Sequence, residues 1–183
     1  MENNERPPKI RRYLNIARTI RKDGAVCFRR AFGAVIVKDD QIIATGYTGA
    51  PRKTPDCFQR GFCLRERLKI PSGSQYELCR SVHAEQNAII NAARAGVSLL
   101  GGDLYTFGSE TKTNKVINAL PCNICKRMVV NAGFKRVICS DVTEEFHEDS
   151  EYFNFKIYLI EDWLKFWETH DINEDPEVYG KTS

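Results

Sequence analysis

His83-Ala84-Glu85 opens one helix-like segment and Pro121-Cys122-Asn123-Ile124-Cys125 opens another, so a fold that serves both must bring two helix starts together. Cys122 and Cys125 are three apart, which puts both sulfurs on one helical face. In a first helical turn the free N–H groups and the positive end of the dipole favour thiolate over thiol. His83 adds a nitrogen from the second helix start. One nitrogen and two sulfurs suit zinc, and three protein ligands leave the fourth tetrahedral position open to water, as a catalytic site requires and a structural site does not. Glu85 lies two residues past His83, roughly 200° around an ideal helix, and so falls off the ligand face. A carboxylate placed there is free to act as general acid and base.

Each fragment alone has a bland counterpart, a redox dithiol for C-x-x-C and a capping or packed residue for the histidine. Joined, with the glutamate between, they read as a catalytic zinc centre with His83, Cys122 and Cys125 as ligands and Glu85 as the proton carrier. H-x-E followed by P-C-x-x-C is the pattern of hydrolytic removal of an exocyclic amine from a nucleobase.

The chain has 183 residues, enough for one domain with a core and too few for two. A charged fraction of 28% and a formal net charge of +3 exclude the strong basic excess of a protein that grips a nucleic-acid polymer. No apolar run is long enough to span a membrane, and residues 1–12 are too polar for a signal peptide. The expectation is a cytoplasmic protein, whose seven cysteines serve as metal ligands or buried thiols and not as disulfides.

Ile10, Leu14, Ala17 and Ile20 recur at helical spacing, which predicts a first helix over 9–22 lying on a sheet. A hairpin of strands 34–37 and 42–44 follows. Segment 46–75, rich in Gly, Pro, Arg and Cys, shows no period and reads as a long loop held by something other than a core. A helix over 84–95, a strand over 103–107, a polar irregular stretch over 108–120 and a helix from Pro121 to about residue 131 come next. Strands 135–140 and 155–160, both expected to be buried on both faces, precede a helix over 161–170 and a loose acidic tail after about 171. Tyr105 and Phe107 alternate on their strand, where core packing is the commoner fate. The fold class is α/β: a three-layer α/β/α sandwich with a mixed five-stranded sheet, in a single domain with a cysteine-containing loop insertion at about 53–80.

At these residues the chain resembles the cytidine and deoxycytidylate deaminase superfamily, and within it the deoxycytidylate (dCMP) deaminases. FGAVIVK at 32–38, GYTGAPR at 46–52 and SVHAEQNAII at 81–90 carry the narrower resemblance, which runs from about residue 10 to 139. It implies the deaminase fold, hydrolysis of dCMP to dUMP in pyrimidine deoxynucleotide supply, a homo-oligomer, and dCTP and dTTP as effectors. A histidine first ligand, where stand-alone cytidine deaminases have cysteine, points away from the free nucleoside. The resemblance also places Gly46, Thr48, Gly49, Ala50, Arg52 and Ala84 against substrate. Thr48 stands where asparagine is usual, and Gly46, Gly49 and Arg52 suit a sugar and phosphate cradle.

Five cysteines remain. Cys139 belongs to a buried strand, whereas Cys27, Cys57, Cys63 and Cys79 surround the region without a hydrophobic period, and four is the number a closed structural zinc takes. Some deoxycytidylate deaminases carry such an extra zinc, and Cys27 and Cys57 resemble its ligands. Zinc is thus expected twice, once catalytic and once structural. Two alternatives stay open: deamination of another amino-bearing base (guanine, a pterin or a tRNA adenosine), and a non-enzymatic binding module stabilised by zinc.

Overall fold

In the computed structural model, residues 8–143 and 152–174 are described. Helix α1 (Lys9–Gly24) precedes an antiparallel hairpin of β1 (Arg30–Lys38) and β2 (Gln41–Tyr47). The hairpin turn is Asp39-Asp40, both at positive φ (50° and 62°), the primed geometry that matches the twist of the flanking strands. Two single-turn helices, α2 (Cys57–Arg60) and α3 (Leu64–Arg67), and a 3-10 turn at Tyr76–Leu78 lead to α4 (Ala84–Arg94). Then come β3 (Asp103–Glu110), β4 (Val116–Ile117), α5 (Asn123–Asn131), β5 (Arg136–Ser140), β6 (Phe155–Leu159) and α6 (Ile160–Trp167).

The strands form one mixed sheet in the order β2-β1-β3-β5-β6, in which β3 and β5 run parallel and the remaining neighbours antiparallel. Alternation along the central strands divides the core into two layers. Val35, Val37, Tyr105, Phe107 and Ile138 pack with Leu14 and Ala17 of α1. Ala34, Ile36, Leu104, Val137 and Cys139 face Ala84 and Ala88 of α4, Val129 of α5 and Trp163 of α6. Burying each large aliphatic of these layers contributes about 1.5–3 kcal/mol. Two glycines let the helices approach. A Cβ on Gly33 would stand 2.1 Å from the Ala17 carbonyl oxygen of α1, and one on Gly46 would stand 2.3 Å from the Ala84 carbonyl oxygen at the start of α4.

The layered sandwich is the expected one, with three departures. The stretch 108–120 is not wholly irregular: β4 pairs antiparallel with β3, adding a sixth strand, because Val116 is fully buried and anchors the returning chain. β6 is not buried on both faces. It closes one end of the sheet, so Ile157 and Leu159 are 45% and 38% exposed. Segment 46–75 is not all loop, since it holds the end of β2 and the two short helices. These are fastened by an Asp56–Gln59 capping box, by Phe28 against Phe58, and by Arg60 and Arg67 over the Phe62 ring. Residues of the acidic tail past 174 lie outside the described residues.

Candidate metal and catalytic centre

His83 caps α4 and Cys122 caps α5, and both caps are pinned to the sheet. Ahead of His83, Val82 exchanges two backbone hydrogen bonds with Gly49, at 2.8 and 3.2 Å. The His83 N–H donates to Gln86 Oε1 at 3.0 Å, and Gln86 Nε2 donates to the Met128 sulfur at 3.6 Å, so one side-chain amide ties α4 to α5. Ahead of Cys122, the Ala119 N–H donates to the Ser140 carbonyl and the Thr106 hydroxyl donates to the Ala119 carbonyl, each at 2.9 Å. These bonds fix the approach to Pro121 against the middle of β3 and the last residue of β5.

The result is a compact donor set. His83 Nδ1 lies 3.5 Å from Cys122 Sγ and 3.4 Å from Cys125 Sγ. Nitrogen and sulfur ligands at about 2.0–2.1 and 2.3 Å from a tetrahedral zinc stand ~3.6 Å apart. The three residues therefore fit one zinc. They are the one group of three or more metal-binding side chains within 4.8 Å of one another among the described residues. Cys125 is fully buried, with Cys122 and Glu85 each 7% exposed.

The cluster's electrostatics favour one thiolate, on Cys122. The hydrogen bond from Cys125 holds Cys122 down to about 4 against the opposing effect of burial, and the same contact together with burial pushes Cys125 up. Burial opposes charge on His83, but its hydrogen bond with Cys122 and the nearby Glu85 outweigh that and raise it. Burial raises Glu85 above the ordinary carboxyl range, with the His83 imidazole pulling the other way. A bound cation would take up this thiolate character and release the remaining thiol proton.

One cavity of about 90 Å³ opens on the centre. His83, Glu85 and Cys122 form one wall, and Phe32, Thr48 and Leu120 another. Its remaining walls come from the insertion and from Cys27, Arg29 and Arg30 at the entry to β1. Tyr76 meets the His83 ring edge-on with centroids 4.8 Å apart, and burial pushes its phenol up to about 12. Ligand pockets run to roughly 300–1,000 Å³, so the cavity as it stands is smaller than one that encloses a whole drug-sized ligand.

The sequence-derived substrate residues separate here. Thr48 reaches the cavity, 6% exposed, with its Oγ1 accepting from the Phe32 N–H at 3.2 Å. Gly46 is instead required by the close approach of β2 to α4. Gly49 joins the approach to His83 through its bridge with Val82. Ala50 and Ala84 do not line the cavity; Ala84, the first residue of α4, is fully buried. Arg52 is exposed and donates to Asn91 Oδ1 on α4, away from the cavity. Cys27, Cys57, Cys63 and Cys79 all line it, yet no three of their sulfurs lie within 4.8 Å of one another, so the expected four-sulfur sphere is not assembled. Tyr105 and Phe107 are core residues against α1. Four arginines of the lining, Arg29, Arg30, Arg65 and Arg80, escaped the sequence reading. They follow no periodic pattern, and only the fold gathers them.

The family described as the cytidine and deoxycytidylate deaminase zinc-binding region matches residues 7–141. This chain belongs to that deaminase family. The deoxycytidylate deaminase of Mycobacterium phage D29 is 33% identical over 139 residues, covering 73% of this chain and 94% of its own length. The deoxycytidylate deaminase of Saccharomyces cerevisiae is 32% identical over 127 residues, 69% of this chain and 35% of its own. Its Schizosaccharomyces pombe counterpart is 30% identical over 112 residues, 61% of this chain and 31% of its own. The family member described here thus spans about a third of the length of the two yeast relatives. A crystal structure of cytidine deaminase from Burkholderia pseudomallei shares the fold, with a TM-score of 0.50 at 13% identity over 82% of this chain and 92% of that one.

Proposed function

We propose that this chain catalyses the zinc-dependent hydrolytic deamination of dCMP to dUMP and ammonia. The observation that carries the reading is one pocket in which His83, Glu85 and Cys122 share walls with four arginines, Glu85 being the sole carboxylate among its lining residues. An amine-bearing base fits the first group and a phosphate the second. Deoxycytidylate deaminase is also the name borne by the relatives from the phage and both yeasts.

His83, Cys122 and Cys125 would hold zinc, which when bound supplies the Lewis acidity that makes water a nucleophile near neutral pH. Glu85 carries the protons. Its carboxylate takes one from the water as oxygen bonds to the base carbon bearing the amine, and returns it to the nitrogen as the carbon–nitrogen bond breaks. A buried carboxyl with a raised pKa is suited to both halves of that exchange. Thr48 and Phe32 shape the wall against which the nucleoside rests, and closure of the pocket keeps bulk water away.

A structural zinc on Cys27, Cys57, Cys63 and Cys79 belongs to the same proposal. It is supported by their common cavity and by their proximity: burial first, and then the neighbouring cysteines, raise the thiols of Cys27 and Cys57, a repulsion that a bound cation would relieve. It requires the sulfurs to draw together on binding. The homo-oligomer and control by dCTP and dTTP rest on the resemblance. No described helix is long and apolar enough to cross a membrane.

Ammonia release from zinc-loaded protein offered dCMP, deoxycytidine, guanine and a pterin tests the reading. The fastest release is expected from dCMP; release led by guanine or the pterin, or from none of the four, would sink it.

A further inference from the structure

Among the described residues, Arg65 is a cation without a carboxylate partner. It is 6% exposed, sits on α3 of the insertion and lines the cavity that holds His83 and Glu85. Its Nη2 donates to the carbonyl oxygens of Pro71 at 2.8 Å and Ser74 at 2.6 Å, and its buried Nε has no acceptor among the described residues. Neither contact carries charge. A buried guanidinium held only by neutral carbonyls is costly, and a fold that keeps one beside a ligand pocket has left the anion to be supplied.

Position limits what the anion can be. The guanidinium carbon stands 4.8 Å over the Tyr76 ring, and that ring stands 4.8 Å from the His83 imidazole. Arg65 is therefore no more than two such steps from the metal ligand, comparable with the span from the amine-bearing carbon of a pyrimidine nucleotide to its phosphorus. Arg29 is drawn to the same turn, donating to the Ile70 carbonyl oxygen at 3.3 Å, so the charge is concentrated at this end of the cavity. Arg52, the cation that the GYTGAPR segment suggested, lies outside it.

We infer that Arg65 reads the 5′-phosphate of the substrate and sets the preference for nucleotide over nucleoside. The inference rests on the proposed nucleotide reading of the site but not on turnover. Substrate phosphate takes the unsatisfied Nε–H, while the Pro71 and Ser74 carbonyls keep the guanidinium plane aimed. Arg65 acts in recognition alone and carries no proton.

Equilibrium binding of dUMP and of deoxyuridine to zinc-loaded protein provides the test, with zinc counted per chain. The ratio of the two affinities is expected to fall about 10- to 100-fold in Arg65→Met, with zinc content at the wild-type value. Arg65→Lys, which keeps charge but loses the planar fork, should lower it less, and Arg52→Met gives the reference for a cation outside the pocket. If Arg65→Met does not fold, the lysine variant decides, with a several-fold drop expected. An unchanged ratio overturns the assignment. So does a loss of zinc with both ligands weakened alike, which would make the guanidinium the counter-ion of the cysteine cluster. A protein that binds dUMP through Arg65 but releases no ammonia from dCMP would overturn the proposed reaction and leave the phosphate assignment standing.

Discussion

The metal cluster and the insertion face each other across one cavity, yet they are built by different means. His83 and Cys122 are helix caps on elements that bury Ala84, Ala88 and Val129 against the sheet, so hydrophobic packing places the donors before any ligand arrives. The insertion spanning α2, α3 and the Tyr76 turn has no comparable apolar layer. Arginines stacked on Phe62 and Tyr76 and arginines bonded to backbone carbonyls hold it. Under the proposed function, chemistry belongs to the rigid side and recognition to the side held by polar contacts.

The largest effect should come from breaking the rigid side at its donors. Cys122→Ser is expected to lose one zinc per chain and lower dCMP turnover by more than about 10³-fold. Cys57→Ser should leave that zinc in place while exposing the insertion to limited proteolysis. Equal zinc loss in the two variants would erase the distinction between the regions. A smaller effect is expected from Gly46→Ala, whose Cβ would run into the backbone of α4. It should cost about 1–3 kcal/mol by denaturant midpoint, and an unchanged midpoint would show that β2 and α4 are less tightly joined than described.

The smallest effect concerns pH in metal-free protein. Burial raises Glu85 above its ordinary 4.5, so the unfolded chain gives up this proton more readily than the folded one. The stabilising contribution is complete below pH 4.5 and is lost as pH rises through the folded value. Stability of the wild type relative to Glu85→Gln should therefore decline as pH rises above 4.5, whereas a flat difference would place the carboxylate in water.

Legibility in the sequence follows the same division. The cluster of His83, Cys122 and Cys125 could be read because ligand spacing and helix starts are local, and the three layers because an apolar period of 3.6 survives in α1 and short apolar runs mark β1, β3 and β5. β6 was misread because Ile157 and Leu159 are apolar on an exposed edge, and only the strand order reveals that edge. Gly46 looked like a ligand contact because glycine serves close approach of any kind, whether to a phosphate or to a helix backbone. Arg65 and Tyr76 left no signal, since their roles depend on carbonyls and rings brought together by a segment without periodicity.

Ammonia release from dCMP by zinc-loaded Glu85→Gln, with zinc counted in the same sample, tests the central claim most directly. Turnover lowered about 10²- to 10⁴-fold with zinc retained is expected if Glu85 moves the protons at a site built by His83, Cys122 and Cys125. Wild-type turnover in that variant would contradict it.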